Sequence, residues 1–96
     1  MNLTSTFEWD EAKNLINQQK HGLSFELAVQ MFKESKMVIQ RSSLSGNDDE
    51  RWLATGLIGG KLATAVFTYR RKSLRIISLR STRNAEKREY RKIYHG

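Results

Sequence analysis

The chain predicts an α+β domain: two helices first, then a contiguous antiparallel sheet of three to four strands, then one closing helix. Three observations carry this. Apolar residues recur at helical spacing near the start, in Ala12, Leu15 and Ile16 and again in Phe25, Ala28, Val29 and Phe32. From Met37 to Arg80 the pattern changes to short apolar runs separated by turn signals, of which Gly59-Gly60 is the strongest. The stretch Leu74 to Tyr94 then opens as an apolar strand and closes as a charged helix. Ninety-six residues without a repeat or a low-complexity tract suit one domain spanning residues 1–96.

Taken in order, Met1 to Thr6 is polar and expected to fray. Asp10 is a good N-cap for a helix from Glu11 to Lys20, with Glu11 where an acid suits the dipole. Trp9 precedes the cap and can pack back on Lys13 or Asn14, and Gly22 is a stop signal. Ser24 caps a second helix, Phe25 to Glu34, completing a helical hairpin. Met37-Val38-Ile39 is a candidate strand, and Ser42 to Glu50 is a polar loop. Arg51 to Ile58 reads as a strand with Arg51, Leu53, Thr55 and Leu57 on one face and Trp52, Ala54 and Ile58 on the other. Leu62 to Tyr69 returns, Arg70 to Ser73 turns, and Leu74 to Arg80 is the last strand. Strict alternation puts Arg80 on the face of Ser78 and Ile76, with Ile77 and Leu79 opposite. The final helix runs from Arg83 to Tyr94, with Ser81 or Thr82 as its cap. Its apolar stripe, Tyr90, Ile93 and Tyr94, is thin, so it lies on the sheet surface or against a partner.

Composition narrows the function. The absence of Cys removes disulfides and thiolate metal sites from consideration. The start lacks the basic and apolar regions of a signal peptide, and no apolar run approaches the roughly 18–20 residues of a membrane span. The expectation is a soluble cytoplasmic protein without a membrane role. Charge is uneven. Residues 1–50 hold five Lys/Arg against eight Asp/Glu, whereas residues 70–96 hold ten against two. A basic end of this kind points to a polyanion or an acidic protein partner.

Four segments, FEWDEAKNLINQQKHGLSFELAVQMF, DDERWLATG, VFTYR and RIISLRSTRNAEKREY, occur in this order and resemble the BrnT family of type II toxins. The resemblance covers Phe7 to Tyr90. It implies a compact RelE-like fold and toxic ribonuclease activity; separately, the residues show no metal constellation, and no cofactor is expected. The resemblance also implies neutralisation by a cognate antitoxin, a ribbon-helix-helix protein that with the toxin binds operator DNA. Many relatives carry Pro after the Asp of the opening motif, where Glu11 stands here; this touches the helix start and not the chemistry.

Metal-independent RNA cleavage needs a base for the ribose 2′-OH, cations for the charged phosphorane and an acid for the departing 5′-oxygen. The 2′-OH restricts such an enzyme to RNA. Arg80, Arg83 and the start of the last helix converge on one spot, either a phosphate site or a basic face kept for solubility. His21 is the better of two histidines for proton transfer; otherwise it satisfies the last carbonyls of the first helix. His95 stands next to the end of the sequence and ranks lower. Glu86 and Tyr90 share a helical face and act in proton transfer if that face borders the site; otherwise the Tyr packs and the Glu bonds an Arg. Lys20, Arg51, Arg70 and Arg83 are candidate phosphate ligands, with Arg51 alternatively paired to Asp48, Asp49 or Glu50. Antiparallel neighbours put Arg70 and Arg80 at opposite sheet edges, so Arg80 ranks first. Phe7 and Trp9 either stack on a base or fill the core. Asp48, Asp49 and Glu50 read as a solvated loop rather than a metal site. Two other functions remain: a non-catalytic nucleic-acid-binding module, and a protein-interaction domain whose thin last helix completes its packing on an acidic partner.

Overall fold

The computed structural model of the chain describes residues 6–34, 36–42 and 50–94. Along them run β1 (Thr6–Glu8), α1 (Glu11–His21), α2 (Phe25–Phe32), β2 (Met37–Arg41), β3 (Trp52–Ile58), β4 (Lys61–Arg70), β5 (Ser73–Ser81) and α3 (Asn84–Ile93). The α+β class and the order of helices, sheet and closing helix are as the sequence predicts. The sheet is larger than expected, with five strands in the order β1-β5-β4-β3-β2. Strands β2 to β5 form the antiparallel meander, and Gly59 and Gly60 make its hairpin at φ +56° and +82°, where only glycine is unstrained. The added strand is β1, parallel to β5, pairing Phe7 with Leu74 and Glu8 with Arg75. Three residues are too short to announce a strand; the edge of β5 imposes the conformation. Thr6, expected to fray, is tied to Ser73 through their side-chain oxygens at 2.7 Å. Expectations for residues 1–5, 43–49 and 95–96 lie outside the described residues.

The core lies between α2 and one sheet face. Phe25, Ala28, Met31 and Phe32 are each at most 1% exposed. Ala54, Ala63 and Ala65 are small, so the helix approaches closely. At Gly56 the approach is closest, since a Cβ there would lie 2.9 Å from Met31 Cγ. Phe67, Leu74, Ile76 and Leu79 complete the cluster. Phe7 and Trp9 join it, their ring centroids 5.7 Å from Phe32 and 6.1 Å from Phe25. Trp9 therefore packs across to α2, edge-on to Phe25.

Helix α1 docks by its polar face. Asn14 and Asn17 are 1% and 5% exposed, while Leu15 and Ile16 are 55% and 52% exposed. The apolar spacing identifies the helix but not its inward side. Carboxamide bonding decides the rotation. Asn14 Oδ1 accepts from Phe25 N at 2.8 Å, and its Nδ2 donates to Glu11 and Glu26, both at 3.0 Å. Asn17 Nδ2 donates to the carbonyls of Leu23 and Leu79, both at 2.8 Å, and its Oδ1 accepts from Leu79 N at 3.1 Å. Without these amides, backbone groups of Leu79 and Phe25 would be buried unpaired, at about 1–3 kcal/mol each. Asn17→Ala is thus expected to destabilise the fold by about 2–4 kcal/mol, read from urea unfolding. A loss below about 1 kcal/mol would mean that hydrophobic contact, and not the amide, sets the docking.

The expected alternation in β5 fails at Ile77. Val66 pairs with Ser78, but the next residue, Phe67, pairs with Ile76, so Ile77 is an unpaired bulge. One extra residue shifts every later side chain to the other face. Leu74, Ile76 and Leu79 all enter the core, at 2%, 1% and 0% exposure. Arg80 is consequently on the face opposite Ile76, a correction to the strict alternation. That second face is the one α3 packs on, against β2 and β3. Its N-cap is Arg83, not Ser81 or Thr82, because β5 runs through Ser81 and the Thr82 hydroxyl is taken up by Thr64 at 3.1 Å.

Candidate active site

Two rows of side chains cross the second face. Val38, Thr55, Thr64 and Arg80 are in register across β2 to β5, and Gln40, Leu53, Val66 and Ser78 form the next row. Helix α3 covers the first row, where Glu86 rests on Thr64. The second row stays open as the floor of a cleft of about 660 Å³. Arg80, Arg83, Ala85 and Glu86 wall it at the α3 end, His21 stands at the rim from the end of α1, and Arg41 and Arg51 flank it from the side of β2 and β3.

At the wall, Arg80 and Glu86 form a bidentate pair. Arg80 Nη1 and Nη2 donate to Glu86 Oε1 and Oε2 at 2.9 and 2.8 Å, with side-chain exposures of 13% and 10%. The same carboxylate accepts from Arg83 N at 2.9 Å and from Thr64 Oγ1 at 3.1 Å. Thr64 is fully buried and also meets Thr55 Oγ1 at 3.1 Å. The Arg80 bond above all holds the Glu86 carboxyl down, from 4.5 to about 2, against the opposing effect of burial. So committed, Glu86 is a weak proton acceptor and a strong anchor, fixing both the guanidinium and the start of α3.

The depressed value makes a stability prediction. A carboxyl with a lowered folded-state pKa contributes stability above its unfolded value and loses it as pH falls through the folded value. Glu86→Gln is expected to cost about 2–3 kcal/mol at neutral pH, with some of the full shift lost to residual solvent. Urea unfolding at stepped pH should show the gap between wild type and variant closing from 4.5 toward about 2. A gap independent of pH would mean that the carboxylate charge is not what Arg80 holds.

The structure brings His21, Arg51, Arg80, Arg83 and Glu86 round one cleft. Lys20 lies beside it, on a smaller depression that shares His21, Ile77 and Ser78 with the cleft. Arg70 is elsewhere. It pairs with Ser73 at the β4–β5 hairpin, whereas Arg80 pairs with Thr64, so the two arginines lie at opposite ends of the strand pair as antiparallel geometry requires. Tyr90 is 4% exposed and lines a different groove; burial, then Tyr94, raises its phenol. Glu50 pairs with Arg41 at 2.8 Å and not with Arg51, while Asp48 and Asp49 lie outside the described residues. Among the described residues no three His, Asp or Glu side chains gather as metal ligands, and no helix is long and apolar enough to cross a membrane. Sequence reading missed the threonine network beneath Glu86. Its signal was present in LATAVFTY, where Thr64, Val66 and Thr68 alternate with Ala63, Ala65 and Phe67.

Fold and cleft together define a class: a small basic α+β domain, consistent with a RelE-like fold, with cations gathered on the uncovered part of its sheet. Comparison with family models is more particular. Residues 9–89 match the ribonuclease toxin BrnT of type II toxin–antitoxin systems, and the chain belongs to that family. RNA is accordingly its substrate and a cognate antitoxin its partner. A search among curated proteins gave no match.

Proposed function

We propose that the chain is an endoribonuclease that cleaves RNA in the cleft floored by Gln40, Leu53, Val66 and Ser78, with its own side chains supplying the chemistry. The observation that carries this is the meeting of Arg80, Arg83, Arg51 and His21 at that one cleft. In the reaction the ribose 2′-oxygen forms a bond to the adjacent phosphorus and the bond to the 5′-oxygen breaks. The proton of the 2′-OH goes to a base, and an acid returns one to the 5′-oxygen. Arg80, preset by Glu86, stabilises the charge that grows on the phosphorane oxygens. His21 transfers a proton. Arg51, Arg83 and Lys20 hold the flanking phosphates, with Arg70 a more distant contact. Glu86 serves as the positioning group for Arg80, and Tyr90 as packing for α3.

The resemblance supports a ribbon-helix-helix antitoxin, operator DNA bound only through the complex, action in the cytoplasm, and growth arrest as the outcome. Induced expression in a host lacking the antitoxin tests the whole reading. Growth arrest with decay of total RNA is expected. Normal growth with folded protein would overturn it.

A further inference from the structure

Helix α3 has two flanks. One walls the cleft; along the other runs a groove of about 500 Å³ between α3 and the β3–β4 hairpin. Lys36, Lys61, Lys87 and Arg91 stand round it, and among the described residues no carboxylate lines it. Among the described residues none of the four has an ion-pair partner, whereas Arg41, Arg75, Arg80 and Lys92 each have one. Lys87 and Arg91 are one turn apart on α3 and so share a side. The floor is apolar. Leu57, 38% exposed, and Leu62 sit on the hairpin, and the Tyr90 and Tyr94 rings meet at a tilt on the helix side, their centroids 5.1 Å apart.

Crowded cations repel one another, and an open apolar floor gains from being covered. One kind of ligand relieves both: a segment with apolar residues along one side and carboxylates along its margins. We infer that this groove is the docking site for an acidic amphipathic segment of a protein partner. RNA fits less well. Its phosphates would neutralise the rim but leave Leu57 and Leu62 uncovered, and the groove shares no lining residue with the cleft. The inference takes from family membership only that a protein partner exists, and it stands apart from the chemistry assigned to the cleft.

The test uses the full chain, ¹⁵N-labelled, and a synthetic helical peptide of about four turns with Leu at i, i+3, i+4 and i+7 and Glu along the margins. Controls are the same peptide with Lys for Glu and a non-cleavable 2′-O-methyl oligoribonucleotide. The acidic peptide is expected to move the amide signals of Gly60, Leu62, Ser81 and Tyr94, and the Lys peptide to leave them in place. Lys87→Glu/Arg91→Glu, and separately Lys61→Glu on the opposite rim, should weaken the acidic peptide by about tenfold. RNA cleavage by these variants should stay near the wild-type rate, which separates failure here from failure of the cleft reading. The inference is overturned if the acidic peptide moves none of these signals, or if charge reversal leaves its affinity unchanged. It is also overturned if the oligoribonucleotide moves them in the peptide's place.

Discussion

Replacing Arg80 with alanine is expected to lower RNA cleavage by about 10²–10³-fold or more, the scale of losing one preorganised charge stabiliser. The variant also leaves the Glu86 carboxylate, 10% exposed, without the guanidinium that neutralises it. Breaking a buried pair from one side costs about 3–5 kcal/mol, a large part of the stability of a domain this size. Loss of toxicity in Arg80→Ala alone could therefore come from unfolding. The pair variant Arg80→Met/Glu86→Gln removes both charges and is expected to recover most of the stability without recovering activity. Arg80→Lys keeps a charge but loses the two-pronged geometry, and should fall between. Cleavage rates on purified RNA, alongside unfolding curves, distinguish these outcomes. A folded pair variant that cleaves within about tenfold of wild type would remove Arg80 from the proposed mechanism.

His21→Gln is expected to reduce the cleavage rate by about 10²–10⁴-fold while changing stability by less than about 1 kcal/mol. The side chain is exposed at the last residue of α1, where the helix already ends on Gly22, whose N–H reaches Gln18 O at 2.8 Å. Termination thus needs little from the imidazole. Glutamine keeps hydrogen-bonding capacity and removes the imidazole, so a large loss of rate with unchanged RNA affinity marks proton transfer. Equal losses in rate and affinity would instead make His21 an RNA contact. A loss below about tenfold would leave it a helix-end residue.

The helices, the meander and the closing strand-to-helix unit were legible because each carries a local signal: a cap, a period or a glycine turn. What escaped the sequence is decided by distant partners. β1 exists because β5 offers an edge, and three residues show no period. The bulge at Ile77 is invisible in a run of apolar residues, yet it sets the face on which Arg80 stands. The inward side of α1 was hidden because Asn14 and Asn17 look like ordinary surface residues until their backbone partners are known. At the cleft, the prominence of Arg80 and its link to Arg83 were readable from strand and helix boundaries. The meeting of His21 with them was not, since it joins segments nearly sixty residues apart.

The bond pattern of Asn17 has a consequence for the chain's behaviour in a crowd. β1 accompanies β5 only as far as Arg75, and the strand continues to Ser81 through Ile76, Ile77 and Leu79. A bare apolar edge of this kind invites strands from neighbouring molecules and seeds aggregates. The Asn17 carboxamide occupies the N–H and the C=O of Leu79 together, as a strand residue would, and α1 lies against β5. One side chain thus acts as a stopper on sheet growth, ending the sheet at a residue that cannot itself be extended.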